Sequence, residues 1–376
     1  MRMPLHAVAG FFLFVATFTV SAQQDDSQTV LIGVAGPMTI PRGESTRDAA
    51  QFAVDRINSQ GLRVNGKRIT LKLLLVDDKN DLNLAVLGAR AIVASGAVGV
   101  IGHFTTDASI ATARIYNEAG IPQLSPTAAG REFTQLGYSN IFQLIGHSDY
   151  TSQYLAETAI KVLRAKRIAL IDNDTSLGRS LAKGFSTAVA RLGGDIVITE
   201  HINPKSSDFN AIIAKIKNTD ADLIFFAGVL AQSIALSTRF QQIGLPTHLL
   251  LAGGAINPEF PRKTGEYPEG TLMLVNGNPV EKAPDFKRLE KMYRQKYSAA
   301  LIPQSWFAYD AVDILAEAMK RTNSLNPRLL SSALHQMKFN GLSGTISFTV
   351  DGSLETPPYT LYRAEQKTWK TLNTLP

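Results

Sequence analysis

The chain contains no cysteine. That excludes disulfides, thiolate metal sites and the lipid-anchoring cysteine of a bacterial lipoprotein. Histidine is scarce: of the six, none lies three to five residues from another, the spacing that would put two ligands on one helix face. No metal and no cofactor are expected. Also missing are the Gly-x-Gly-x-x-Gly and Gly-Lys-Ser/Thr loops that cradle phosphates, since Gly33, Gly36 and Gly43 are too widely spaced for either. There is no Gly-x-Ser-x-Gly elbow, and Gly341-Leu-Ser-Gly344 lacks its spacing. With no set of nucleophile, base and orienting group to read, the chain is not expected to be an enzyme.

Nor is there a basic stripe. The 38 basic residues are interspersed with 32 acidic ones, as where Lys161, Arg164, Lys166 and Arg167 follow Glu157. No nucleic-acid partner is expected from that pattern. At the start, Arg2 precedes an apolar run from Ala7 to Val20 that ends in Val20-Ser21-Ala22. That reads as a secretory signal peptide spanning residues 1–22, and the run is too short for the usual bilayer span. A periplasmic protein follows from it, free rather than lipid-anchored. About 350 mature residues exceed what one hydrophobic core usually serves, so two domains are expected.

What the chain does have is alternation. Short apolar runs (Val30 to Ala35, Ile69 to Val76, Val98 to Ile101, Ile121 to Leu124) are separated by segments of helical period. This is the pattern of βαβ units around a parallel sheet. Ile141 to Ile145 reads as the strand that leaves this half. A second series of the same kind begins near Asp149 and runs to Leu251. Helices over Asp285 to Lys296, Trp306 to Arg321 and Pro327 to Met337 read as cover for the first half. Gly344 to Val350 and Tyr359 to Tyr362 then alternate like strands joined through the turn pair Asp351-Gly352. The fold class is α/β, with two doubly wound parallel-sheet lobes.

The stretch Val100-Ile-Gly-His-Phe-Thr-Thr-Asp-Ala-Ser109 turns from a buried strand to hydroxyls and an acid within a few residues. In an open parallel sheet, ligands bind beyond the carboxyl ends of the strands. The unpaired amides and positive dipole end of the helix opening there suit an anion, and Thr105 and Thr106 add hydroxyls. One of the two threonines also reads as a helix N-cap. His103 reads as an imidazole packed at the strand end. A second loop of small residues, Ser125-Pro-Thr-Ala-Ala-Gly130, follows the next strand and leaves further amides accessible. Two such loops facing one cleft could hold a carboxylate.

These residues resemble the type I periplasmic solute-binding proteins of the leucine/isoleucine/valine class, which serve ABC importers. The resemblance rests on Gly99-Val-Ile-Gly-His103, Ile115-Tyr116, Glu118-Ala-Gly-Ile-Pro122, Leu124-Ser-Pro126, Thr134-Gln-Leu-Gly-Tyr138, Arg167-Ile-Ala-Leu-Ile171 and Asp208-Phe209, and runs over essentially the whole mature chain. It implies two lobes joined by three hinge crossings, near Ile145, Val275 and Val350. The first lobe would comprise residues 23–145 and 276–350, the second residues 146–275 and 351–376. It also implies a ligand carboxylate held by Phe104, Thr105 and Thr106 together with Thr127, Ala128 and Ala129. The expected partners are that ligand and an inner-membrane ABC permease, with the protein a monomer; a receptor presenting its solute to a periplasmic sensor domain is the alternative.

Several positions depart from the amino-acid-binding pattern. Ala129 stands where the family often has threonine, Leu177 where it has an aromatic before Gly178, and Val229 where it has a second-lobe tyrosine. No acid stands near Gly253-Gly254-Ala255, where one that pairs a ligand ammonium would align. An unpaired buried ammonium costs several kcal/mol in a real site. Asp107, Asp149 and Asp174 are the candidates to replace that acid; without one, an apolar or aromatic carboxylate lacking an amine is expected. Arg42, after the first strand, either pairs an acidic ligand or is solvated.

Overall fold

The computed structural model describes residues 27–243, 248–252, 259–264, 270–279, 282–283, 285–299, 305–366 and 368–375. The proposed signal peptide and Gly254 lie outside them. Among the described residues no helix is long and apolar enough to cross a membrane.

The first half folds as β1 (Ser27–Gly36), α1 (Pro41–Gln60), β2 (Arg63–Val64), β3 (Lys67–Asp77), α2 (Leu82–Ala94), β4 (Val100–Gly102), α3 (Thr106–Ala119), β5 (Gln123–Ser125), α4 (Arg131–Thr134) and β6 (Ile141–Gln143). Its sheet runs β2-β3-β1-β4-β5-β6, parallel except for β2. Helix boundaries follow local chemistry. Pro41 opens α1, where its missing N–H costs nothing, and Gly61 closes it in the left-handed region at φ 80°. The Asp81 carboxylate accepts from the amides of Asn83 and Leu84 to start α2.

The second half comprises α5 (Ser148–Glu157), β7 (Arg167–Asp172), α6 (Ser176–Arg191), β8 (Asp195–His201), α7 (Asn210–Ile216), β9 (Leu223–Ala227), α8 (Leu230–Ile243), β10 (His248–Ala252), α9 (Glu259–Thr264) and β11 (Leu272–Asn276). The chain then returns to the first half with α10 (Phe286–Tyr297), α11 (Ser305–Thr322), α12 (Pro327–Gln336) and the short pair β12 (Phe339–Asn340) and β13 (Thr345–Ile346). Trp306, Tyr309, Val312 and Leu315 of α11 are buried in the same core as Phe52 and Ile57 of α1. The chain ends in β14 (Tyr359–Glu365) and β15 (Thr368–Leu375). The second sheet is therefore β15-β14-β11-β10-β9-β7-β8, with β14 and β15 antiparallel.

The end of the chain differs from the sequence expectation. Asp351-Gly352 does form a tight turn, with Gly352 at φ 81°, but it brings Phe348 opposite Leu354 within the first lobe. Strand β14 pairs instead with β11 and β15. Phe348 and Leu354 are buried in the first core, and Gln143 donates its amide to the Gly352 carbonyl at 2.8 Å. The third crossing accordingly falls after Leu354 rather than at the exposed Val350. The three crossings meet: a Cβ on Gly146 would lie 2.0 Å from the Tyr359 hydroxyl and 2.9 Å from Asn276 Oδ1. The Tyr359 hydroxyl donates to the His147 carbonyl at 3.2 Å and accepts from Thr151 at 3.0 Å.

Candidate functional site

Each sheet has one place where its strand order reverses. In the first, β1 is flanked by β3 and β4; in the second, β7 is flanked by β8 and β9. Crevices open outside the carboxyl ends of such strands. A cavity of about 310 Å³ lies there, lined from both lobes. From the first lobe come Arg42, Asn80, Leu82, Phe104, Thr105, Thr106, Asp107 and Thr127. From the second come Asn173, Asp174, Thr175, Leu177, Gly178, Leu181, Pro204, Lys205, Ala227, Gly228 and Val229. The first turns of α1, α2, α3 and α6, and the loop entering α8, thus all face one space, so the positive ends of several helix dipoles converge on it.

The loop after β4 is rigid for traceable reasons. His103 is fully buried, with Nδ1 2.9 Å from Asp78 Oδ2 and Nε2 3.2 Å from the Tyr116 hydroxyl. Its carbonyl accepts from the hydroxyls of Ser125 at 2.7 Å and Ser109 at 3.0 Å. The ring is therefore more than strand-end packing: with Asp78, it anchors the residues that follow. Thr105 caps α3 by accepting from the Ala108 amide at 3.4 Å. The amides of Thr106 and Asp107 fall in the first helical turn and have no intrahelical acceptor.

The two expected loops lock together. Thr127 donates to the Phe104 carbonyl at 2.6 Å, and the Gly130 amide donates to the Thr106 hydroxyl oxygen at 3.0 Å. With its oxygen accepting from Gly130, the Thr106 hydroxyl keeps its proton for another acceptor. Ala128 and Ala129 do not line the cavity. The Ala128 amide donates to Ser125 and its carbonyl accepts from Gln143 Nε2, while the Ala129 carbonyl accepts from Ser148. Both shape the loop from behind.

The remaining expected residues divide cleanly. Leu177 and Val229 line the cavity, and Leu177 packs against the cores of both lobes. Asp149 does not: its side chain is 61% exposed, 3.8 Å from Arg131, and lines a different cavity with Ser180 and Lys183. Asp107 and Asp174 both line the site. Asp174 is bound by Arg179 at 2.7 Å, whereas Asp107 makes no ion pair or side-chain hydrogen bond among the described residues.

Arg42 is half-buried, and among the described residues its guanidinium has neither a hydrogen bond nor an ion pair. Burial lowers its pKa by desolvation, yet arginine stays charged in proteins. Asn80, Leu82, Asn173, Thr175 and Lys205 were not singled out from sequence. All follow the carboxyl ends of β3, β7 or β8, so the strand-end rule applied to every strand, rather than to β4 and β5 alone, would have found them. Among the described residues no group of three His, Asp or Glu side chains is placed to hold a metal.

Residues 29–368 match the sequence model of a family described as periplasmic binding protein. A Leu/Ile/Val-binding protein homolog of Brucella melitensis is 28% identical over 342 residues, covering 89% of this chain and 91% of the relative. The branched-chain amino acid transporter substrate binding protein of Streptococcus pneumoniae, solved in complex with isoleucine, superposes with a TM-score of 0.82 at 22% identity, over 92% of this chain and 99% of that one. A solute binding protein of R. palustris solved in complex with benzoate gives a TM-score of 0.80 at 16% identity, over 92% and 96% of the two chains. At these identities the two structures speak for a shared fold.

Proposed function

The chain belongs to the periplasmic binding protein family, in the type I class that includes the Leu/Ile/Val-binding proteins, and from that premise we propose that it is the solute-binding component of an ABC importer. It captures a small carboxylate between its lobes and hands it to an inner-membrane permease; the leader read from residues 1–22 would deliver it to the periplasm. No reaction is assigned to it. The observation that carries this reading is the cavity between the lobes, where the Thr106 hydroxyl, the first-turn amides of α3 and Arg42, unpaired among the described residues, stand beside Phe104, Leu177 and Leu181. Donors and positive dipole ends hold the acid group, and the apolar side chains cover the body of the ligand.

Closure follows from the same lining. Leu82 and Val229, from opposite lobes, remain 48% and 43% exposed at the cavity. Completing their burial would contribute about 1 kcal/mol each. A ligand that touches both lobes adds differential contacts available only in the closed form and so shifts the balance toward it.

Thermal melting and calorimetry with leucine, 4-methyl-2-oxopentanoate, benzoate and glutarate, each beside the amide that replaces its carboxylate, test the reading. At least one carboxylate should raise the melting temperature saturably while its amide does not. If no acid binds, or amides bind equally well, the reading fails.

A further inference from the structure

The unpartnered charges that line the cavity sum to +1, but the two cations among them stand on different chain segments, apart from the carboxylate cradle, so that one acid group does not reach every anion receptor. Among the described residues three lining side chains carry a charge without a partner: Arg42, Lys205 and Asp107. Asp174 is already neutralised by Arg179. The two free cations come from opposite sides, Arg42 from the start of α1 in the first lobe and Lys205 from the loop after β8 in the second. The hydroxyl and amide cradle at Thr105, Thr106 and Asp107 is a third anion receptor, separate in chain from both.

Phe104 stands between the chain segments that carry the two first-lobe receptors. A Cβ on Gly36, at the end of β1 just before the Arg42 loop, would lie 2.3 Å from the Phe104 ring. The same residue leads directly into Thr105 and Thr106. A carboxylate seated in the threonine cradle leaves the desolvated Arg42 without a counter-charge, and a charge removed from water without one is costly. If the sole carboxylate pairs with Arg42 instead, the cradle and Lys205 are left without an anion. One acid group cannot satisfy both arrangements.

Resting on the solute-binding reading above, we propose that the ligand is a small aliphatic diacid: one carboxylate sits in the cradle of the Thr105 and Thr106 hydroxyls and the first-turn amides of α3, the other pairs with Arg42, and Lys205 closes over the second from the opposite lobe. Leu177, Leu181 and Val229 cover the methylenes between the acid groups. Asp107, the remaining unpartnered charge, gives an amine on that ligand a counter-ion, so that an acidic amino acid and a plain dicarboxylate are two forms of one class.

Calorimetry on the full mature chain with glutarate, glutamate, glutamine, pentanoate and leucine, repeated with Arg42→Met and Lys205→Met, tests the proposal. The native protein should bind glutarate or glutamate at least about tenfold more tightly than pentanoate, glutamine or leucine, the discrimination expected when one charged pair is lost. Arg42→Met should erase that preference, and Lys205→Met should weaken diacid binding less and mainly slow association at low salt. Because the Arg42 side chain bonds nothing among the described residues and its charge is desolvated, the ligand-free melting temperature should not fall on Arg42→Met. Tighter binding of pentanoate, glutamine or leucine than of either diacid overturns the diacid proposal and leaves the carboxylate reading standing, as does an unaltered preference in Arg42→Met. Absence of binding by every acid in the set overturns the diacid proposal, and absence of binding by the 2-oxo and aromatic acids as well overturns both.

Discussion

Replacing Thr106 with valine removes one hydroxyl and little else. The side chain is 4% exposed, and valine preserves its branched shape, so the contact with Gly130 is kept; a Cβ on that glycine would sit 2.4 Å from Thr106 Cγ2. Two interactions disappear. The buried Gly130 amide loses its 3.0 Å acceptor, an unsatisfied donor that costs about 1–3 kcal/mol. For a lobe of this size that corresponds to roughly 2–4 °C of melting temperature per kcal/mol. The ligand carboxylate loses a hydroxyl donor, and hydrogen bonds to charged groups contribute about 1.5–3 kcal/mol, a factor of roughly 10 to 150 in Kd. Thr106→Ser keeps the hydroxyl and should recover most of the affinity. Circular dichroism melts and calorimetry with the tightest acid of the panel read the two effects separately. A Thr106→Val protein that melts lower but binds as well as the native one would refute the cradle and leave only the loop contact.

Two further outcomes follow from other parts of the molecule. Gly146→Ala places a methyl against the Tyr359 hydroxyl where the three crossings meet; overpacking of this kind costs about 1–3 kcal/mol, and the double variant Gly146→Ala, Tyr359→Phe should regain part of the lost melting temperature, with no regain counting against direct contact. Asp310, buried on α11, accepts from the Leu342 and Ser343 amides and the Ser343 hydroxyl, and burial raises its pKa to about 6; burial likewise raises that of Asp313, beside Arg56, to about 7. Both values lie above the unfolded one, so the native state holds these protons more tightly. The resulting stability is fully present below about pH 4 and is lost as pH rises through 6 and 7, on the order of 3 kcal/mol for Asp310. Melting temperatures at pH 5 and pH 8 should differ less in Asp310→Asn than in the native chain, and an unchanged difference would contradict the assignment.

The architecture was legible because its signals are local and repeated. Most strands that open a βα unit are short apolar runs, and three of the helices that follow them begin at a capping side chain, Asp81, Thr105 or Thr175. The terminal hairpin was not legible for the opposite reason. Tyr359 to Tyr362 alternates like half of a local hairpin, but its first partner is β11, more than eighty residues earlier, and nothing in the alternation says which edge of which sheet a strand will join. The Asp351-Gly352 turn signal was correct about the turn and silent about where the chain went afterwards.

The site shows the same division at finer grain. Position was legible: residues that follow a parallel strand at a switch point face the crevice whatever their chemistry, which is why Thr105, Thr106, Leu177 and Val229 all line it. Occupancy was not legible. Asp107, Asp149 and Asp174 read alike as candidate partners for an amine, and only the fold separates them: Asp149 turns to another cavity beside Arg131, Asp174 is paired with Arg179, and Asp107 lines the site with no ion pair among the described residues. Arg42 likewise reads equally well as a solvated cation or as a ligand contact until its neighbours are known. Which charges lack partners is a property of pairs brought together from distant parts of the chain. On the diacid proposal, a single cation exchanged on either rim should change what the cleft prefers while leaving the strand pattern, and hence the family resemblance, intact.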